Sequence, residues 1–143
     1  MSTVLICRDA LEDAVLGNVA LARAMVGRGE EVALVFTGEA LAALDKGTFR
    51  WSPNFQTRDA RSAVIAAAEA CGFPLAHREL DARWSDVRAL VRSMADEKNL
   101  RLVACPLWER FLDLDAEPDY LDRIDEAELI DLMKKADTIV GGY

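Results

Sequence analysis

The segment Glu31–Thr37, EVALVFT, decides how the rest of the chain is read. Val, Ala, Leu, Val and Phe follow one another with no polar residue among them, so neither face of an extended chain would be wet. Such a run marks a strand buried on both sides, as in a parallel sheet. A parallel sheet in turn requires helices that carry the chain back between strands.

The flanking sequence has that form on both sides. Val4 to Cys7 is a second short apolar run. Asp9, with Glu12 three residues on, has the spacing of a capping box, and Ala14, Val15, Leu21, Ala22, Met25 and Val26 supply the apolar stripe of a helix stopped by Gly27 and Gly29. Gly38-Glu39 opens a short helical segment to about Leu44. Lys46 to Asp59 has no period and carries Trp51, Pro53 and Phe55, which suggests a cover or an interface. Asp59 then stands as the cap of a helix with Ala63, Val64, Ala67 and Ala70 on one face, ended by Gly72 and Pro74. Leu75 to Leu80 is a weak strand whose alternation is confused by His77. Ser85 starts a helix with Val87, Leu90, Val91 and Met94, and Leu100 to Cys105 is a further buried strand. Asp113 to Asp122 is acidic and irregular around Pro118. Asp125 with Glu128 repeats the capping box ahead of Leu129, Ile130, Leu132 and Met133, and Thr138 to Val140 closes as a strand. The alternation, with no break in composition, predicts one α/β domain over residues 1–143 with a mainly parallel sheet of about five strands, covered on both faces.

The balance of 17 Lys and Arg against 25 Asp and Glu leaves a net charge of -8. An acidic surface repels phosphate backbones, so nucleic acid and anionic membranes are poor partners. No apolar stretch approaches the ~20 residues that cross a bilayer. Met1-Ser2-Thr3 runs straight into Val4-Leu5-Ile6 without a basic stretch, so a cytoplasmic protein is expected. The three cysteines are widely spaced, with neither a CxxC pair nor a Cys/His set, and no metal site is expected.

Ligands of open parallel sheets bind beyond the carboxyl ends of the strands. That edge collects Cys7, Arg8 and Asp9; Thr37, Gly38 and Glu39; Cys105, Pro106 and Trp108; and finally Gly141 and Gly142. Pro106 suits the first position of a helical turn, whose N–H groups would stabilise a thiolate at Cys105, with Arg110 or Arg8 as possible sources of positive charge. The competing reading is that Cys105, like Cys7, is a small buried residue at a strand end. Cys71 falls in the last turn of a helix, where packing suffices to explain it. No glycine follows the first strand closely enough to cradle a phosphate, which disfavours dinucleotide binding.

The order of pieces resembles the DsrE/DsrF-like family of small sulfur-relay proteins. The likeness rests on VLIC, GRGEEVALVFTGEAL, LRLVACP, the acidic segment, ELIDLMKKA and ADTIV. It implies a three-layer α/β/α sandwich, assembly as a trimer, hexamer or related homo-oligomer, and a cysteine in the position of Cys105 that accepts sulfur as a persulfide and passes it to a partner protein without a cofactor. The chain departs from the family in Pro106, Leu107 and Trp108 after the cysteine and in the long aromatic loop. Two further readings stay open: a non-catalytic oligomeric binding module with Trp51, Phe55 and Trp108 at subunit contacts, and a ligand pocket walled by Arg8, Thr37 and Gly38. Sulfur transfer expects the Cys105 sulfur to be exposed or to face a pocket.

Overall fold

The computed structural model describes residues 1–72, 85–114 and 118–141. The strand expected at Leu75 to Leu80, with His77, and the terminal Gly142 lie outside those residues. The elements in chain order are β1 (Ser2–Cys7), α1 (Glu12–Gly27), β2 (Glu31–Phe36), α2 (Gly38–Lys46), a 3-10 turn (Pro53–Phe55), α3 (Arg58–Ala70), α4 (Ser85–Ser93), β3 (Leu100–Ala104), α5 (Pro106–Phe111), β4 (Asp122–Arg123), α6 (Glu126–Lys135) and β5 (Thr138–Gly141).

All five strands run parallel in the order β4-β3-β2-β1-β5, with the EVALVF run at the centre. Leu5 stands beside Leu34, which stands beside Leu102, so one face of the sheet is lined by matched apolar residues. Each step from β1 to β2 to β3 moves one place in the same direction. Right-handed crossovers then drop the intervening helices on one face, whereas the return from β4 across the whole sheet to β5 must pass over the other. The two layers are therefore unequal. Leu5, Leu34, Phe36 and Leu102 meet α1 through Val15 and Val19, α2 through Leu41 and Leu44, and α3 and α4 through Ile65 and Leu90. The opposite face, Val4, Ala33, Val35, Val103 and Cys105, is covered by Leu129, Leu132 and Ala136 of the α6 segment together with Ile124.

Four local expectations are corrected. Asp9 does not cap α1; the N-cap is Leu11, and the first free N–H, that of Glu12, donates to the Arg50 carbonyl at 2.8 Å. A carbonyl from the aromatic loop thus occupies the place the Asp9 side chain was expected to fill, and Asp9 pairs with Arg8 instead. Thr57 rather than Asp59 caps α3, its Oγ1 accepting from the Ala60 N–H at 3.2 Å. The acidic stretch ends in a two-residue edge strand, β4, held by the Arg101–Asp122 ion pair at 3.1 Å. Ile130 does not face the core; it lies on the outer side of α6, whose inward contacts come from Leu129 and Leu132. The second capping box forms as expected, with the Asp125 carboxylate accepting from the Glu128 N–H at 2.8 Å.

Candidate functional site

At the carboxyl edge the strand ends are stitched together by backbone hydrogen bonds. The Thr37 N–H donates to the Cys7 carbonyl and the Ala40 N–H to the Arg8 carbonyl, both at 3.0 Å, and the Cys105 N–H donates to the Phe36 carbonyl at 2.9 Å. Gly38 begins α2 with φ +55, a left-handed conformation that a side chain resists. A Cβ there would lie 3.9 Å from the Arg8 carbonyl and 4.0 Å from the Trp108 indole, so Gly38 is where three loops converge. Arg8, Thr37, Gly38 and Trp108 do come together. The N–H groups of Thr37 and Ala40 already have acceptors, which removes them as donors to an anion.

The two strand-end cysteines have different surroundings. Cys7 is 1% exposed, inside the larger core, and burial pushes its thiol up to about 12, with the Asp9 carboxylate adding to the rise and a backbone hydrogen bond at Asp9 opposing it. A thiol held protonated that far above neutrality is no nucleophile. Cys105 is 6% exposed, on the opposite face of the sheet, and forms the N-cap of α5 with Pro106 at the helix start. The expectation of an exposed or pocket-facing sulfur is corrected here: Cys105 is buried in an apolar cluster with Val103 and Val35, against which Ile124 and the α6 residues Leu129 and Leu132 pack. Nor can the two cysteines pair. Strand β2 lies between them, a separation of about 9.5 Å for two strand spacings, beyond the roughly 7 Å that a disulfide tolerates between Cα atoms. Cys71 is exposed at the C-cap of α3.

The arginines considered as partners for Cys105 are engaged elsewhere: Arg8 with Asp9, and Arg110 with Glu126. The residue that sequence reasoning missed is Glu109, one helical turn past Cys105. Burial pushes its carboxyl up, and Arg123, paired with it at 3.2 Å, pulls in the opposite direction. Its partner sits on β4, just past the segment expected to be irregular, so no local pattern could have revealed the pair. Pro106, Glu109, Arg123 and Ile124 line an open groove of about 500 Å³ between α5 and α6; among the described residues Cys105 is not part of its wall. Beside the groove α5 presents a continuous apolar strip to solvent, with Leu107 40%, Trp108 39% and Phe111 68% exposed, the Trp108 and Phe111 rings edge to face at 5.4 Å. Trp51, for which the sequence leaves core, pocket wall and subunit contact all open, is buried in the main core, with Phe55 packed beside it.

Among the described residues no group of three or more acidic, His or Cys side chains is placed to hold a metal ion, and no helix is long and apolar enough to cross a membrane. No family model and no curated protein matches the chain in sequence. In structure it is similar to the ychN protein from E. coli, with a TM-score of 0.62 over 99% of each chain at 11% sequence identity. The likeness is one of fold.

Proposed function

We propose that the protein is a DsrE-like sulfur-transfer protein in which Cys105 accepts and donates sulfur. The observation that carries the reading is the position of Cys105: it ends a parallel strand beside the central one and caps a proline-started helix on the thinner side of an α/β/α fold. Both strand-end cysteines are buried, Cys105 at 6% exposure and Cys7 at 1%, and burial pushes the Cys7 thiol up to about 12. In the step proposed, the Cys105 thiolate attacks the outer sulfur of a donor persulfide. A new S–S bond forms on Cys105, the donor's S–S bond breaks, and the donor leaves as a thiolate, so no oxidant or cofactor is consumed. Because Cys105 is buried in the cluster that Ile124 and α6 cover, reaction requires that α6 and the Ile124 segment lift from this face, a local opening of the kind small marginal elements permit.

The test is intact mass spectrometry after exposure to a small-molecule persulfide donor, in a Cys71→Ser background because exposed Cys71 would take up sulfur on its own. A gain of one sulfur atom that survives Cys7→Ser and vanishes in Cys105→Ser supports the reading; a gain unaffected by Cys105→Ser overturns it.

A second reading, a non-catalytic homo-oligomeric module, is favoured by one observation: Leu107, Trp108 and Phe111 form an exposed apolar strip on a single short helix. It differs from the first in needing no thiol, and the two are separated by whether Cys105→Ser leaves all function of the protein intact.

A further inference from the structure

The aromatic loop between α2 and α3 is built into the domain as one wall of a cavity of about 360 Å³, lined by Glu12, Phe49, Arg50, Trp51, Gln56 and Arg61. Its frame is anchored at several points. Arg50 is bridged to Leu11 by backbone hydrogen bonds, the Ser52 N–H and Oγ both donate to the Asp13 carboxylate at 2.9 Å, and Phe49 and Trp51 are buried in the core. The loop therefore holds its shape without an occupant, as ligand sites commonly do.

The cavity's charge is what points to an occupant. Glu12 is 1% exposed and is engaged in an interaction within the protein. Arg61, from α3, is half-buried; its Nε is wholly removed from solvent and has no acceptor, and among the described residues the guanidinium makes no ion pair. A buried N–H without an acceptor is costly, and Arg61 also lines the cavity, where the rest of its guanidinium can meet an occupant. Arg50 adds a second cation at the rim, and the Gln56 amide reaches the Trp51 carbonyl only at 3.5 Å, which leaves it free to turn. Two arginines and one glutamate line the cavity, in a chain of net charge -8.

We infer that this cavity binds a small carboxylate with a flat apolar body, the carboxylate on Arg61 and the ring against Trp51 and Phe49. A guanidinium recognises a carboxylate with two parallel hydrogen bonds, and indole and phenyl walls favour a planar group. The site lies at the carboxyl edge, off β1, but it shares no residue with the Cys105 region and does not depend on the sulfur-transfer reading.

The test is NMR titration of the full chain with benzoate and indole-3-acetate, each beside its neutral amide. The expected result is saturable shifts of the Trp51 indole N–H and of backbone amides at Glu12, Phe49 and Arg61, with each amide binding at least about tenfold more weakly than its acid. Arg61→Gln should weaken the acids by a similar factor and leave the amides unchanged; Arg50→Gln, at an exposed position, repeats the comparison should Arg61→Gln fail to fold. Equal binding of acid and amide, or shifts centred on other residues, or no saturation at millimolar ligand, overturns the inference.

Discussion

Cys7 and Cys105 both end strands of one sheet, yet alternation sends them to opposite faces and into different chemistry. Cys7 faces the thick helical layer. Its folded pKa of about 12 exceeds the ordinary 9.0, so the folded protein holds a proton that the unfolded chain releases. The associated stability is complete below pH 9 and is lost as pH rises towards 12, by up to about 4 kcal/mol. Denaturant midpoints measured from pH 8 to 11 should fall less steeply for Cys7→Ala than for the parent. Alkylation orders the three thiols: in the native state near neutral pH, Cys71 should react with iodoacetamide first, Cys105 far more slowly and Cys7 only on unfolding, as peptide mass mapping over time would display. Rapid labelling of Cys7 in the folded protein would contradict the burial on which its pKa rests.

At the scale of elements, caps decide which helix ends are locally determined. The Asp125–Glu128 box works because its donor and acceptor lie three residues apart, and Asp125→Ala should lower stability by about 1 kcal/mol in equilibrium denaturation. The similar box at Asp9 and Glu12 does not form, since the Arg50 carbonyl meets the Glu12 N–H from a distant loop. Asp9→Ala should accordingly change stability by less than about 0.5 kcal/mol. The contrast between the two variants, measured in one buffer, checks both assignments. Strand β4 escaped sequence reading for a related reason. Two exposed charged residues carry no apolar pattern, and they are in a strand only because β3 offers them an edge.

Across the whole molecule, the unequal layers set what is robust and what can open. Phe36, at the end of the central strand and fully buried under several helices, should cost about 3–5 kcal/mol when truncated to alanine. Among the described residues the other face is covered by α6 and Ile124, and next to it α5 leaves its apolar strip exposed. If that strip joins copies of the chain, light scattering across a concentration series should show association in the parent and a monomer after Leu107→Glu with Phe111→Glu. A parent that stays monomeric at high concentration would set the assembly reading aside.

Local pattern determined the alternation of strands and helices, the burial of EVALVF on both faces, the delivery of Cys7, Gly38 and Cys105 to one edge, and the α6 cap, because each depends on residues within a turn or a strand of one another. Tertiary structure alone decided the central place of EVALVF, that α6 covers the face holding Cys105, that Glu109 finds Arg123, that Trp51 is wall and core, and that the Arg61 Nε is buried without an acceptor beside a cavity. Those outcomes depend on which crossover passes over which face, and on partners far apart in the chain, and no periodicity records either.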